Sequence, residues 1–353
     1  MLWSMSEELL DYGSALRSWL ADAASLEAAR GWYDAHDPSP FEQRFVTDGW
    51  SGVGVAEELG GQGGGLAELA VTAEELARAC APSSHWLATV LALPALAGRA
   101  ESQAALEGAG AALVVPAEVV PEETAGLPWA DGVVTGVVPR VLGADRVRWL
   151  VVPVADAEGR RLVLVDAHGE AVRVVARRPL DRSRAIGDVH LDGAAGVVLA
   201  VDADLVLGRA SVRAAVLLAA DALGVSARML ELTVEYSKQR HQFGKPIASF
   251  QAVKHAAATI LVGVEAARSV VPVAAAVVEA GGPDAARVAA AVTSQVTAEA
   301  VRTAESALTV HGAIGYTWEH DLHLYGKRAR LTEQLFGSSD RWRERLADQL
   351  QLA

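Results

Sequence analysis

Tyr236-Ser237-Lys238-Gln239-Arg240-His241-Gln242-Phe243-Gly244-Lys245-Pro246-Ile247-Ala248-Ser249-Phe250-Gln251 is the stretch on which the fold turns. Ahead of it, Ala210 to Lys238 keep an apolar face at helical spacing, so Arg240 stands at the end of a long helix, before a tight Phe243-Gly244 turn. A second helical segment runs from Ser249 to Glu279, with Pro272 the place for a kink. Gly281-Gly282-Pro283 stops it, Asp284 to His311 forms a third segment, and a turn region and last helix follow. A guanidinium presented at a helix end can grip a phosphate with its planar fork. The alternative is an arginine that steadies the helix C-terminus by its charge, with Phe243 in the core.

Working towards the N-terminus, the texture changes twice. Val133-Val134-Thr135-Gly136-Val137-Val138, Trp149 to Pro153, Arg161 to Val165 and Val172 to Val175 are short β-branched runs separated by Gly, Asp and Pro, which predicts an all-β insert. Before it, Glu7-Leu9-Leu10, Leu16-Trp19-Leu20 and Leu66-Leu69-Ala70-Ala73-Leu76-Ala77 are spaced for helix faces. Between these faces Gly49-Trp50 through Glu57-Glu58-Leu59-Gly60-Gly61-Gln62-Gly63-Gly64-Gly65 marks a loop. The expected fold class is therefore α+β and multidomain: a helical domain over 1–108, a β domain over 109–203 and a helical bundle over 204–353.

Composition bounds the function. The chain has 353 residues, 51% of them hydrophobic, enough to bury a sizeable core. A net charge of −13 disfavours nucleic acid, which needs concentrated positive charge, but not a small anionic ligand. The single cysteine, Cys80, excludes an internal disulfide and fits a cytoplasmic location. The N-terminal segment has no basic region before an apolar core, so no signal peptide is expected. Val262 to Ala280 comes nearest to a membrane span, but Glu265, Arg268 and Glu279 interrupt it, and it reads as a buried helix. His320 and His323 are three apart, yet no third ligand is evident, so no metal site is expected.

Three segments together resemble the acyl-CoA dehydrogenase family: the Gly49-Trp50 to Gly63 stretch, the Tyr236 to Gln251 stretch, and His311-Gly312-Ala313-Ile314-Gly315-Tyr316-Thr317-Trp318-Glu319-His320. They occur in the family's order and spacing, over nearly the whole chain. The resemblance implies an N-terminal helical domain, a central β-barrel, a C-terminal four-helix bundle, FAD as cofactor, and α,β-desaturation of an acyl thioester carried by CoA or an acyl-carrier protein. It implies electron-transfer flavoprotein or a similar acceptor. It places Arg240 at the FAD pyrophosphate and Gln251 at the adenosine half, and puts Gln242, Phe243, Phe250, Thr309, Gly312, Ala313 and Ser338 around the same cofactor. The Gly312 loop would reach the flavin of a neighbouring subunit.

The chain also departs from the family. The usual glutamate base precedes a Gly-Thr or Gly-Ser pair near the C-terminus; here Phe336 precedes Gly337-Ser338. A second branch carries the base near Ala214, where no acid stands; Asp221, seven residues on and on roughly the same helix face, is the nearest carboxylate. In an apolar helix Asp221 would have a raised pKa, suited to a base, or it would be a buried aspartate satisfied by a neighbouring arginine. Arg213 is the candidate for an anionic substrate carrier, and Glu333, one turn before Phe336, is the nearest substitute base. The family's Thr-Glu-Pro flavin loop reads Val114 to Pro121 here, without Thr or Ser, and its aromatic flavin shelf reads Pro139-Arg140-Val141. The expectation is a chain that lends half a site and lacks the other half. It would work beside a second acyl-CoA dehydrogenase subunit in a heterotetramer of lipid or steroid metabolism. The alternative is a non-catalytic or non-redox thioester-binding subunit on the same fold.

Overall fold

The computed structural model describes residues 6–157 and 159–350. Eleven helices of α type are described: α1 (Glu7–Ala23), α2 (Leu26–Ala35), α3 (Ser39–Thr47), α4 (Leu66–Arg78), α5 (Ser84–Ala92), α6 (Ala100–Ala104), α7 (Ala203–Gln239), α8 (Gln251–Ala280), α9 (Ala285–His311), α10 (Leu322–Gln334) and α11 (Ser339–Gln349). The strands are β1 (Ala111–Leu113), β2 (Leu127–Ala130), β3 (Val133–Leu142), β4 (Trp149–Asp156), β5 (Gly159–Asp166), β6 (Val172–Arg177), β7 (Ile186–Ala195) and β8 (Val197–Val198), with β9 (His241–Gln242) and β10 (Lys245–Pro246) forming a separate hairpin. The chain forms two compact units, Met1–Glu27 with Ala70–Ala81 and Ala215–Ala353, and Ala28–Leu69 with Pro82–Ala214.

The second unit holds the sheet. Its order is β6-β7-β3-β2-β4-β5-β8, with β1 paired to β4. Among the described residues β6 and β8 do not pair with each other; the sheet is curled, the central β domain expected between two helical regions. Val134, Val138, Val141, Leu150, Val152, Val163, Val165, Val189 and Leu191 share one buried face, and β4 and β5 are buried on the other face too, through Val151, Leu162 and Leu164. The glycine loop closes on itself in the same unit. Gly61 admits no side chain, because a Cβ there would lie 2.1 Å from the Val55 carbonyl oxygen.

The first unit is helical. Leu217, Leu218, Leu223 and Met229 of α7 are enclosed, as are Ala289, Ala290, Ala300, Ala304 and Ala307 of α9. Alanine faces let helix axes approach closely, and α9 packs against α8, α10 and α11. Thr293 Oγ1 of α9 donates to the Ala215 carbonyl of α7 at 2.5 Å. On the opposite side of α7, a Cβ at Gly224 would meet the Glu74 carbonyl oxygen of α4 at 2.0 Å. Helix α8 continues through Pro272.

One expectation about α8 is corrected. By length and composition α7 and α8 could each cross a membrane; 89% of the apolar window of α7 is buried, against 33% for α8. Helix α8 is thus not a buried helix within this chain. It is apolar around much of its circumference, and Leu261, Val262 and Val270 remain exposed.

Candidate functional site

The stretch that opens the sequence analysis folds as a helix end, a hairpin and a helix start. Helix α7 closes with Arg240 N–H donating to the Tyr236 carbonyl at 2.8 Å, and Ile247 N–H returns to the Arg240 carbonyl at 2.8 Å. Phe243 (φ 53°) and Gly244 (φ 77°) form the two-residue turn joining β9 to β10; positive φ at both matches the twist of a hairpin and is costly for Phe. Phe243 is 89% exposed, which removes the reading of it as core. Its ring meets Phe250 edge-on at 6.0 Å, and Lys245 Nζ lies 4.5 Å over the Phe250 ring. From Lys238 to His255 the sequence carries Lys238, Arg240, Lys245 and Lys254 and no acid, in a chain of net charge −13. Arg240, Gln242 and Gln251 are exposed. Among the described residues no carboxylate pairs with Arg240, unlike the many arginines of this chain held in ion pairs.

The third sequence segment is brought to the same place. Tyr236, one turn before Arg240, stacks on His311 with centroids 4.4 Å apart and planes 20° apart, and its hydroxyl donates to the His311 carbonyl at 3.4 Å. His320 meets both rings edge-on, at 5.9 and 4.6 Å. Gly312 (φ 66°) turns the chain out of α9, leaving Gly312, Ala313 and Ile314 exposed and Gly315 packed against the His311 Cβ. Thr309 is exposed, its hydroxyl donating back to the Glu305 carbonyl at 2.8 Å. No sequence signal joins Tyr236 to His311, and neither was singled out as a site residue.

The candidate bases fare differently. Asp221 is 3% exposed and accepts from Arg328 Nη2 at 2.6 Å, from Arg328 Nε at 3.2 Å and from Thr332 Oγ1 at 2.9 Å. Arg328 is fully enclosed and donates also to the Ala81 carbonyl at 2.8 Å. This is the aspartate satisfied by an arginine, and as a general base it is corrected: its lone pairs are taken and it faces an ion partner. Glu333 is committed as well, accepting from the backbone N–H of Ser339 at 3.0 Å and its hydroxyl at 2.6 Å at the start of α11. Phe336 is 4% exposed in a left-handed turn (φ 52°), and its carbonyl accepts from the Trp342 indole at 3.2 Å. Ser338 caps α11, accepting from Arg341 N–H at 3.2 Å. Arg213 is half-buried, engaged by neighbouring groups, and belongs to the other unit.

On the sheet, the loop after β1 is held by an ion pair. Ala117 N–H donates to the Arg140 carbonyl at 2.8 Å, and Arg140 Nε donates to Glu118 Oε2 at 3.2 Å. Arg140 has φ 53°, and its N–H donates to Asp188 at 3.0 Å. The Arg177 guanidinium beside Asp188 holds that carboxyl down at about 2. Where the resemblance implies a hydroxyl-bearing loop and an aromatic shelf, a Glu118–Arg140 pair stands.

With this geometry in hand, the chain belongs to the acyl-CoA dehydrogenase family, whose members are oxidoreductases acting on CH–CH bonds. The family's N-terminal domain model matches residues 6–105 and its C-terminal domain model residues 207–351. Acyl-CoA dehydrogenase IpdE2 of Mycobacterium tuberculosis is 34% identical over 90% of this chain and 88% of its own length. IpdE2 of Mycolicibacterium smegmatis is 35% identical over 94% and 96%. The solved ChsE4-ChsE5 complex from Mycobacterium tuberculosis shares the fold, with a TM-score of 0.86 at 24% identity over the full length of both chains. FAD is the cofactor that this membership brings. The hairpin fits its anionic half, with an unpaired guanidinium, unpaired lysines and two phenyl faces. The Glu118–Arg140 face does not fit its ring half.

Proposed function

We propose that this chain is one subunit of a heteromeric acyl-CoA dehydrogenase, and that it lends a partner's active site the pocket for the phosphate and adenosine half of FAD. FAD held there would supply the acceptor for the hydride that leaves Cβ of the thioester. This chain's residues would bind and orient it: Arg240 would take the pyrophosphate with its two-nitrogen fork, Lys245 would add positive charge, Phe243 and Phe250 would offer faces to the adenosine half beside Gln242 and Gln251, and the Gly312-Ala313 turn, with Thr309 before it, would bring backbone close; Ser338 is proposed as a further contact. The α-proton falls to a carboxylate of the partner.

The observation that carries this reading is the contrast between the two halves. Arg240 is exposed without an ion partner, whereas Phe336, Asp221 and Glu333 offer no accessible base and the sheet face carries Glu118–Arg140. The uncovered face of α8, Leu261, Val262 and Val270, supports an assembly with another chain. The IpdE2 relatives and the ChsE4-ChsE5 complex support acyl-CoA substrates and a second acyl-CoA dehydrogenase subunit. Arg213 is proposed as a contact for the thioester carrier, a bundle starting near residue 204 as the lending domain, and a cytoplasmic location with no membrane partner. Expression alone and with a second acyl-CoA dehydrogenase chain that keeps the family's glutamate base tests this: flavin absorbance only in the co-expressed complex supports it. Failure to bind flavin in any combination favours a thioester-binding subunit without redox chemistry.

A further inference from the structure

His311 is almost wholly enclosed, at 4% exposure. Its Nδ1 donates to the Ala307 carbonyl at 2.7 Å, which fixes the neutral tautomer and leaves a lone pair on Nε2. That Nε2 is buried and has no partner. Tyr236 covers one face of the ring and His320 abuts it edge-on at 4.6 Å. His320 is committed too, its Nδ1 accepting from Leu322 N–H at 3.1 Å. The titratable groups set against His311 are thus Tyr236 from α7 and His320 from the following loop, and no carboxylate is among its determinants.

We propose that His311 is a positioning residue: clamped as a neutral ring between Tyr236 and His320, it latches the Gly312–Tyr316 turn to the end of α7, and taking up a proton releases the turn. The inference rests on reading these two segments as walls of one cofactor half-site. A proton on Nε2 would create a buried N–H without an acceptor and a positive charge beside a second imidazole, so the charged ring must leave the stack. Burial lowers the pKa of His311, in keeping with this. The latch spans 75 residues of sequence, and through it the hairpin carrying Arg240 and the loop carrying Gly312 and Ala313 share one orientation.

The effect has a diagnostic sign. The latch predicts that FAD binding weakens as pH falls. The test runs at about pH 7.5 and about pH 5.5, with hydrogen exchange of the 308–322 segment of the full chain corrected for intrinsic rates, and FAD affinity of its complex with the acyl-CoA dehydrogenase partner by fluorescence titration. In the wild type, exchange should rise about tenfold and FAD affinity fall about tenfold between those values, while His311→Phe, which keeps the stack and cannot titrate, should show neither change. An equal pH response in wild type and His311→Phe overturns the latch. Should His311→Phe not fold, His311→Gln serves, and an NMR titration giving His311 an ordinary or raised pKa overturns it as well. The expected exchange pattern with no FAD binding at either pH leaves the latch standing and contradicts the cofactor reading.

Discussion

Arg328 holds both carboxylate oxygens of Asp221, with Nη2 2.6 Å from Oδ2, in a pair enclosed on every side. Removing one member of a buried pair strands the other charge, which costs about 3–5 kcal/mol. Asp221→Asn should therefore lower the urea midpoint sharply, and Asp221→Leu with Arg328→Met should recover much of the loss. If Asp221→Asn instead keeps full stability and abolishes turnover of the assembled enzyme, Asp221 is a base after all.

Glu333 accepts two hydrogen bonds from Ser339 at the first turn of α11. Its role is that of a cap, so Glu333→Gln should cost about 0.5–2 kcal/mol of stability and leave the turnover number of the complex unchanged. Loss of turnover at unchanged stability contradicts this assignment.

Arg240 carries the phosphate contact. Arg240→Lys keeps the charge but loses the fork, and FAD retention in the complex should weaken by about 1–3 kcal/mol. Arg240→Ala should weaken it further, and undiminished flavin content in that variant removes Arg240 from the site.

Glu74 gives a pH dependence of folding. Burial, with Glu75 beside it, raises its carboxyl to about 7 from the usual 4.5. The folded state thus binds a proton more tightly than the unfolded chain, so the contribution is full below pH 4.5 and is lost as pH rises through about 7. Glu74→Gln should stabilise the protein by on the order of 1–3 kcal/mol at pH 8 and leave it nearly unchanged at pH 4.5. Equal effects at the two pH values contradict a perturbed Glu74.

The elements legible in the sequence were those whose pattern matched their period. Helix α9 keeps one apolar face throughout, α7 is a long apolar run closed by the Phe-Gly turn, and β3 to β6 are β-branched runs with clean turns, so these were visible. Strand β7 was not, although it pairs with both β3 and β6: Gly187, Asp188, Asp192 and Gly193 make it read as turns. Helix α5 is buried on all sides and so shows no amphipathic period. At the site, Arg240 announced itself by its place before the Phe-Gly turn, and the absence of a base at Phe336 could be counted off. The Tyr236–His311 stack could not, since it depends on the packing of α7 against the end of α9. A buried aspartate held by an arginine was one of two readings of Asp221, but which arginine could not be told, because Arg328 lies 107 residues away.

The central claim is that this chain completes a partner's active site and has none of its own. Native mass spectrometry with flavin quantification, on the chain alone and on its complex with a second acyl-CoA dehydrogenase chain that keeps the family's glutamate base, tests it most directly. The account predicts a mixed complex with roughly one FAD for every two chains, and no acyl-CoA desaturation by this chain alone. A homotetramer of this chain that carries one FAD per subunit and desaturates an acyl-CoA would contradict it.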